Sequence, residues 1–327
     1  MKRAEPLAGF AATELEALSE AIDYIIKGVL ALAELAVFFG ESGAMKSFMV
    51  LDMLLHIALG FDWCGFRVKR CGVLLIAGEG GAGMAKRLKA WFVRHQVNQD
   101  QARIFIATEA ADLLRDSARL AATITEAENR IGCPVGVVAF DTLAACFGEG
   151  DENSTGDMMA AIKNARQACG NRALIFVHHN GHQQKDRERG AYALRGTADT
   201  RILVERADRL ITAKCLKRKD GEHFQDIGFE WHQVETGWVD ADGDAVTSVI
   251  LDPTDKRPPK AAPTGKVPGA IIELLETHGA LPKGGIASRL MKSGHSHSQI
   301  YDRIKTMLAS GALVDTSGLI GIAEQQP

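Results

Sequence analysis

Residues 40–47 read Gly-Glu-Ser-Gly-Ala-Met-Lys-Ser. A glycine-rich turn closed by Lys-Ser brings backbone N–H groups, an ammonium and a hydroxyl to one place, which is the chemistry that holds a triphosphate. Gly40 and Gly43 permit the turn, Lys46 can reach the β- and γ-phosphates, and the Ser47 hydroxyl can hold magnesium. The nucleotide-binding segment expected for ATP with Mg2+ is therefore Gly40, Glu41, Ser42, Gly43, Ala44, Met45, Lys46, Ser47 and Phe48. One position is out of pattern. The strict form G-x-x-x-x-G-K-[ST] has glycine before the lysine, and this chain has Met45. If the turn needs a left-handed residue there, the side chain costs ~1 kcal/mol or more. Such a match can also be a chance loop, so other residues must decide.

Hydrolysis needs a magnesium ligand, a base for the attacking water and a group that senses the γ-phosphate. The run Val135–Phe140 ends in Asp141, at the Walker-B position, whose carboxylate would hold magnesium; a helix N-cap is the competing reading. Gly72–Ala77 is followed by Gly78-Glu79-Gly80, and a carboxylate flanked by glycines can take the proton of the attacking water. Glu79 could instead cap a helix that begins near Gly83. Ala173–Val177 ends in His178-His179-Asn180, where a polar side chain can hydrogen-bond the γ-phosphate. With His182 nearby, a metal site is the rival idea there, although no third and fourth ligands are evident.

Two cationic segments follow. Residues 181–196 carry Lys185, Arg187, Arg189 and Arg195, which could track the phosphates of a single DNA strand, or form a solvated run compensated by Asp186 and Glu188. Lys217-Arg218-Lys219-Asp220-Gly221 looks like a hairpin tip whose lysines could reach the nucleotide of an adjacent subunit, or simply face solvent.

The elements that must position these residues follow from the apolar pattern. Positions Leu15, Leu18, Ile22, Ile25 and Ile26 have helical spacing, so residues 10–26 are expected to form an amphipathic helix. Short apolar runs without alternation follow at Leu35–Phe39, Cys71–Ala77, Ile104–Ala107, Val135–Phe140 and Ala173–Val177, with helical stretches between them. That pattern means a parallel sheet covered on both faces. Arg201–Glu205, Leu210–Lys214 and Phe229–Val234 are expected to extend it. Five of the nine prolines lie between Asp252 and Pro268, as in an extended linker. Beyond it, helices are expected at Gly269–Thr277, Lys283–Lys292 and Ser296–Ser310, and strands at Ala312–Val314 and Leu319–Ile322. This is the order of a winged helix-turn-helix. The expected division is a helical segment 1–27, an α/β domain 28–252, a linker 253–268 and a winged module 269–327.

Bulk properties narrow the function classes. The 327 residues are 46% hydrophobic and 24% charged, as in a globular protein, and the formal charge of −3 supplies no global field for nucleic acid or membrane. Six cysteines without C-x-x-C pairs signal neither a zinc site nor a disulfide framework, and free thiols fit a reducing cytoplasm. No apolar run is long enough to span a bilayer, and no secretory signal follows Met1-Lys2-Arg3.

GESGAMKSF, LLIAGEGGAG, VVAFDTLAACFGEGDENS, IFVHHNG and ALRGTADT, in this order, resemble the RepA-like hexameric replicative helicases and related AAA ATPases of phages and plasmids, within the RecA/DnaB superfamily. The resemblance covers roughly residues 25–235 and implies a RecA-like P-loop core. It implies that Lys46 and Ser47 bind phosphate and magnesium, Glu79 is the base, Asp141 supports magnesium and His179 senses the γ-phosphate. It also places a Lys-x-Lys/Arg element at Lys217 and Lys219. Thr142 after Asp141 separates the chain from AAA+ ATPases, which put their catalytic Glu beside the Walker-B Asp. The winged module is no part of the minimal helicase core.

The expected function is an ATP-hydrolysing, ring-forming motor or loader on single-stranded or duplex DNA, acting as a hexamer with an initiator or primase as partner. Two alternatives stand beside it. One is an ATP-switched initiator or regulator whose third C-terminal helix, with Ser296, Ser298, Gln299 and Arg303, enters the major groove. Residues 261–327 hold six Lys/Arg against five Asp/Glu, so protein docking by this module is an equal reading. The other is a RecA-like recombinase that forms filaments.

Overall fold

The structure, a computed structural model, describes residues 9, 11–14, 23–78, 81–179, 192–256, 266–293 and 295–323. The chain divides into two compact units, Met1–Arg257 and Pro258–Pro327.

The first unit is built on a nine-stranded sheet. Its strands are β3 (Leu35–Gly40), β4 (Gly72–Ala77), β5 (Ile104–Ala107), β6 (Val135–Asp141), β7 (Ala173–His179), β8 (Thr200–Ala207), β9 (Leu210–Arg218), β10 (Ile227–Val239) and β11 (Ala245–Pro253). In space they run β11-β10-β9-β8-β3-β7-β6-β4-β5. The six from β8 to β5 are parallel, and β9, β10 and β11 continue the sheet antiparallel.

The continuous apolar runs are explained by burial on both faces. Ala36 and Phe38 of β3 pack with α1 (Lys46–Leu59) and α2 (Gly81–His95), through Met49, Met53 and Trp91. Leu35, Val37 and Phe39 pack on the other face with α3 (Ser117–Ile131) and α4 (Thr155–Cys169), through Leu120, Ile124 and Met158. A strand with both faces covered has no polar side to alternate with. A short helix, α5 (Tyr192–Thr197), precedes β8.

The structure departs from the sequence reading in three places, one of them a strand beyond those expected. The helix over residues 10–26 fails at its end: Tyr24–Ile26 is a strand, β1, paired antiparallel with β2 (Leu30–Ala31). Gly28 at φ 80° turns the chain back, and β-branched Ile25 and Ile26 are buried in the core. Within that stretch, residues 15–22 lie outside the described residues and Ala12–Glu14 is one turn of 3₁₀ helix. The second departure concerns Ala245–Pro253. Sequence patterning does not announce this strand, because only Val249-Ile250-Leu251 is a continuous apolar run. The third is the hairpin at 217–221. β9 extends to Arg218, its last residues pair only with β8, and residues 219–226 form a longer connection to β10.

The second unit contains α6 (Lys266–His278), β12 (Leu281–Pro282), α7 (Lys283–Lys292), α8 (His297–Ala309), β13 (Leu313–Thr316) and β14 (Leu319–Ile322). Its three short strands are ordered β12-β14-β13, and Ile271, Ile286, Ile300, Ile304 and Ile320 form its core. Ser296 starts α8, its hydroxyl accepting from the Gln299 N–H at 3.3 Å. Among the described residues, no helix is long and apolar enough to cross a membrane.

Candidate active site

β3 ends at Gly40 and α1 begins at Lys46, so residues 41–45 form the turn between them. The two glycines have different jobs. Gly43 has φ +78°, a left-handed backbone that glycine adopts without cost. Gly40 is needed for contact: a Cβ there would lie 2.2 Å from the Val204 carbonyl oxygen of β8. Met45 has φ 68° and ψ 22°, so the position where the strict motif has glycine is indeed left-handed. Its side chain is half-buried against the core. Met45→Gly relieves ~1 kcal/mol of backbone strain and loses part of that packing, so nucleotide affinity is expected to hold or rise. Titration with a fluorescent nucleotide checks this; a large loss would mean that the methionine side chain itself supports the turn.

Lys46 is 4% exposed and its Nζ donates to Gly40 O at 3.0 Å and Glu41 O at 2.8 Å. The same Nζ stands 3.3 Å from His179 Nδ1. An ammonium has no acceptor, so Nδ1 accepts and the imidazole proton resides on Nε2. This contact exists because β7 lies beside β3 with Gly40 paired to His179. Neighbouring side chains on a strand point to opposite faces, which distinguishes the two histidines. His178, paired with Phe39, is fully buried, with Nε2 3.9 Å from Glu152 Oε2.

The Ser47 hydroxyl donates to Asp141 Oδ1 at 2.8 Å. A hydroxyl and a carboxylate are both oxygen donors of the kind magnesium takes, so this pair would suit the ion. Asp141 is buried, at the end of β6 beside Ala77 of β4. The Gly78 N–H donates to Asp141 O at 3.0 Å, fixing the chain just before Glu79. Glu79 itself lies outside the described residues, as do Lys185, Arg187, Arg189 and His182. Among the described residues, no group of three or more His, Cys, Asp or Glu side chains converges as a metal site.

The remaining expected residues are scattered. The Phe48 ring lies under the Arg87 guanidinium of α2 at 4.5 Å. Lys217 Nζ donates to Arg195 O at 3.1 Å and Gly196 O at 3.0 Å, tying β9 to the end of α5. Lys219 Nζ is 3.4 Å from Asp199 Oδ1 and largely exposed. Register puts both lysines far from the turn at Gly40: Arg218 pairs with Thr200, and Thr200 pairs with Ala36 near the start of β3. Arg303 is exposed on α8, in the second unit.

Two buried carboxylates that sequence reasoning passed over hold the site's scaffold. Asp199 accepts from the Leu35 N–H at 2.9 Å and from Arg166 at 3.2 Å, anchoring the start of β3. Asp52, on α1, accepts from the indole N–H groups of Trp63 at 2.9 Å and Trp91 at 2.8 Å. Burial raises the Asp52 pKa above the usual carboxylate range, against the opposing pull of His56 and the two indoles. His95 stacks on Trp91 with ring centroids 4.0 Å apart, and burial lowers its pKa. For Asp52 the sequence signal was an acidic residue within an apolar helix, and Asp199 lay in the ALRGTADT motif.

A family model described as an AAA domain matches residues 2–185. The chain belongs to the AAA domain family. This AAA domain is accordingly a P-loop ATPase, a class that uses nucleotide with Mg2+, and its mainly parallel α/β sheet fits such a core. The match ends before α5, so β8 to β11 and the second unit lie outside the matched stretch. No curated protein matches the chain.

Proposed function

We propose that the chain is an ATP-driven, ring-forming motor of the RepA-like helicase type, acting on DNA in the replication of a phage or plasmid. The observation that carries the ATPase part is the meeting of Ser47 with Asp141 and of Lys46 with His179 at the C-terminal ends of three adjacent central strands. Ser47 and Asp141 would hold Mg2+, which would supply positive charge against the phosphate oxygens. Lys46 adds a second cation at the β- and γ-phosphates, and the Glu79 carboxylate accepts the proton of the attacking water. His179 offers its Nε2–H to the γ-phosphate and passes the loss of that contact into residues 180–196, whose cations Lys185, Arg187, Arg189 and Arg195 follow a DNA strand.

Lys217 and Lys219 lie toward the other end of the strands from their own phosphate-binding turn. A nucleotide within their reach would be one bound by a neighbouring copy, as a ring of identical subunits requires. The expected result is ATP turnover that rises with single-stranded DNA, and closed hexameric rings in negative-stain images with ATP. Turnover indifferent to DNA would count against a motor, and filaments would point to a recombinase.

A second reading, an ATP-switched DNA-binding initiator or regulator, is favoured by the second unit. Its helices and small sheet follow the order of a winged helix, and Ser298, Gln299 and Arg303 are exposed along α8. Deleting residues 258–327 separates the two: a regulator loses site-specific duplex binding, whereas a motor keeps its ATPase.

A further inference from the structure

We propose that the recess between the phosphate-binding turn and the β8–β9 hairpin receives a purine base and its ribose, with Arg206 as the residue that selects the nucleotide. The inference rests on the reading of residues 40–47 as the triphosphate site. Residues 41–44 form one wall of a cavity of about 420 Å³, and residues 203–206 with Asp208 form the other. That volume is in the range of small-molecule sites, which begins at ~300 Å³. A triphosphate held by the backbone of residues 41–44 must lead its nucleoside into adjoining space, and this cavity adjoins that same backbone.

The second wall is set firmly. Val204 O approaches Gly40 so closely that no side chain fits between them, which fixes β8 against the start of the turn. Arg206 follows two residues later. Its Nε donates to Asp208 O at 2.9 Å, its guanidinium lies 5.4 Å from the Trp231 ring centroid, and its Nη1 is 3.4 Å from Gly43 O. Trp231 is held in turn by its indole N–H on Asp208 O at 3.1 Å and by Arg209 at 5.3 Å. A guanidinium restrained this way is a planar cationic platform beside the turn.

Such a platform stacks on the face of a base, and the larger purine gains more than a pyrimidine. Asp208 is exposed where it lines the recess, so its carboxylate is available to accept from ribose hydroxyls. Two further acids line the recess, Glu41 on the turn and Glu205, which is paired with Lys214 at 2.6 Å.

The test is equilibrium binding of ATP, CTP and inorganic tripolyphosphate to the full chain and to Arg206→Ala, Arg206→Lys and Lys46→Ala. Arg206→Ala is expected to weaken ATP about tenfold, to leave tripolyphosphate unchanged and to reduce the preference for ATP over CTP. Arg206→Lys, which keeps the charge and loses the plane, is expected to behave like alanine. Equal weakening of ATP and tripolyphosphate, an unchanged ATP/CTP ratio, or full rescue by lysine would each overturn the assignment. If Lys46→Ala abolishes binding while Arg206→Ala alters nothing, only the base site is refuted. If Lys46→Ala leaves tripolyphosphate binding intact, the triphosphate reading itself fails.

Discussion

Lys46→Ala is expected to lower ATP turnover by on the order of a hundredfold or more while the chain stays folded. The ammonium is almost wholly buried, between two carbonyl oxygens of its own turn and the imidazole of His179. Its charge therefore sits where the β- and γ-phosphates are to lie, in surroundings that screen it little. Arginine should not substitute. A forked guanidinium is wider than an ammonium, and oxygens at 2.8 Å and 3.0 Å already enclose the site. Phosphate release at saturating ATP, alongside a thermal melt, separates lost chemistry from lost fold. A fall of less than tenfold with an unchanged melt would remove Lys46 from its assigned role.

Asp52→Ala is expected to act on stability instead. Removing the carboxylate leaves the indole N–H groups of Trp63 and Trp91 buried without their acceptor. Each such orphan costs ~1–3 kcal/mol, so the two together cost ~2–6 kcal/mol. For a unit of this size a loss of ~3 kcal/mol lowers Tm by roughly 6–12 °C. Trp63 and Trp91 are two of the four tryptophans, so intrinsic fluorescence follows the loss directly. The damage reaches the site, because Asp52 joins α1, which carries Lys46 and Ser47, to α2, which starts two residues after Glu79. An unchanged melt would mean that water or a shifted side chain satisfies both indoles.

The same cluster sets a pH dependence whose sign follows from the two shifts. His95 has a lowered pKa in the fold, so below ~6.5 the unfolded chain takes up a proton that the folded chain refuses, and stability falls as pH drops. Asp52, with a raised pKa, works the other way: its contribution is present at low pH and is lost as pH rises through its folded pKa. His56, Arg94 and Asp252 also act on His95, and His95→Phe leaves all three in place. His95→Phe keeps a ring on Trp91 and removes the titration, so melts at pH 7, 6 and 5 should lose less stability toward acid than the parent. Asp52→Asn should steepen that loss. A His95→Phe variant as acid-sensitive as the parent would show that other groups dominate.

Much of the candidate site could be read from residues in order, because a phosphate-binding turn is a local object. Gly40 to Ser47 are contiguous, their glycines and Lys-Ser ending carry their own chemistry, and the apolar runs before Asp141 and His179 mark strand ends. The motif raised the question of a left-handed residue at Met45 without answering it, and the structure shows that backbone there. Local pattern failed where partners are remote. Tyr24–Ile26 shares its apolar spacing with a helix, and only pairing with Leu30–Ala31 makes it a strand.

The sequence by itself determined the chemical inventory: a glycine-rich turn ending in Lys-Ser, a carboxylate and a histidine at strand ends, and clusters of cations. Tertiary structure decided which of these meet. Lys46 reaches His179 across 133 residues and Ser47 reaches Asp141 across 94, because β7 lies between β3 and β6. It also turned Lys217 onto α5, buried Asp52 between two indoles, and set Arg206 beside the turn on a wall formed by β8. The physical reason is that strand order and face are fixed by burying both sides of one sheet, a condition on the whole chain that no short stretch contains.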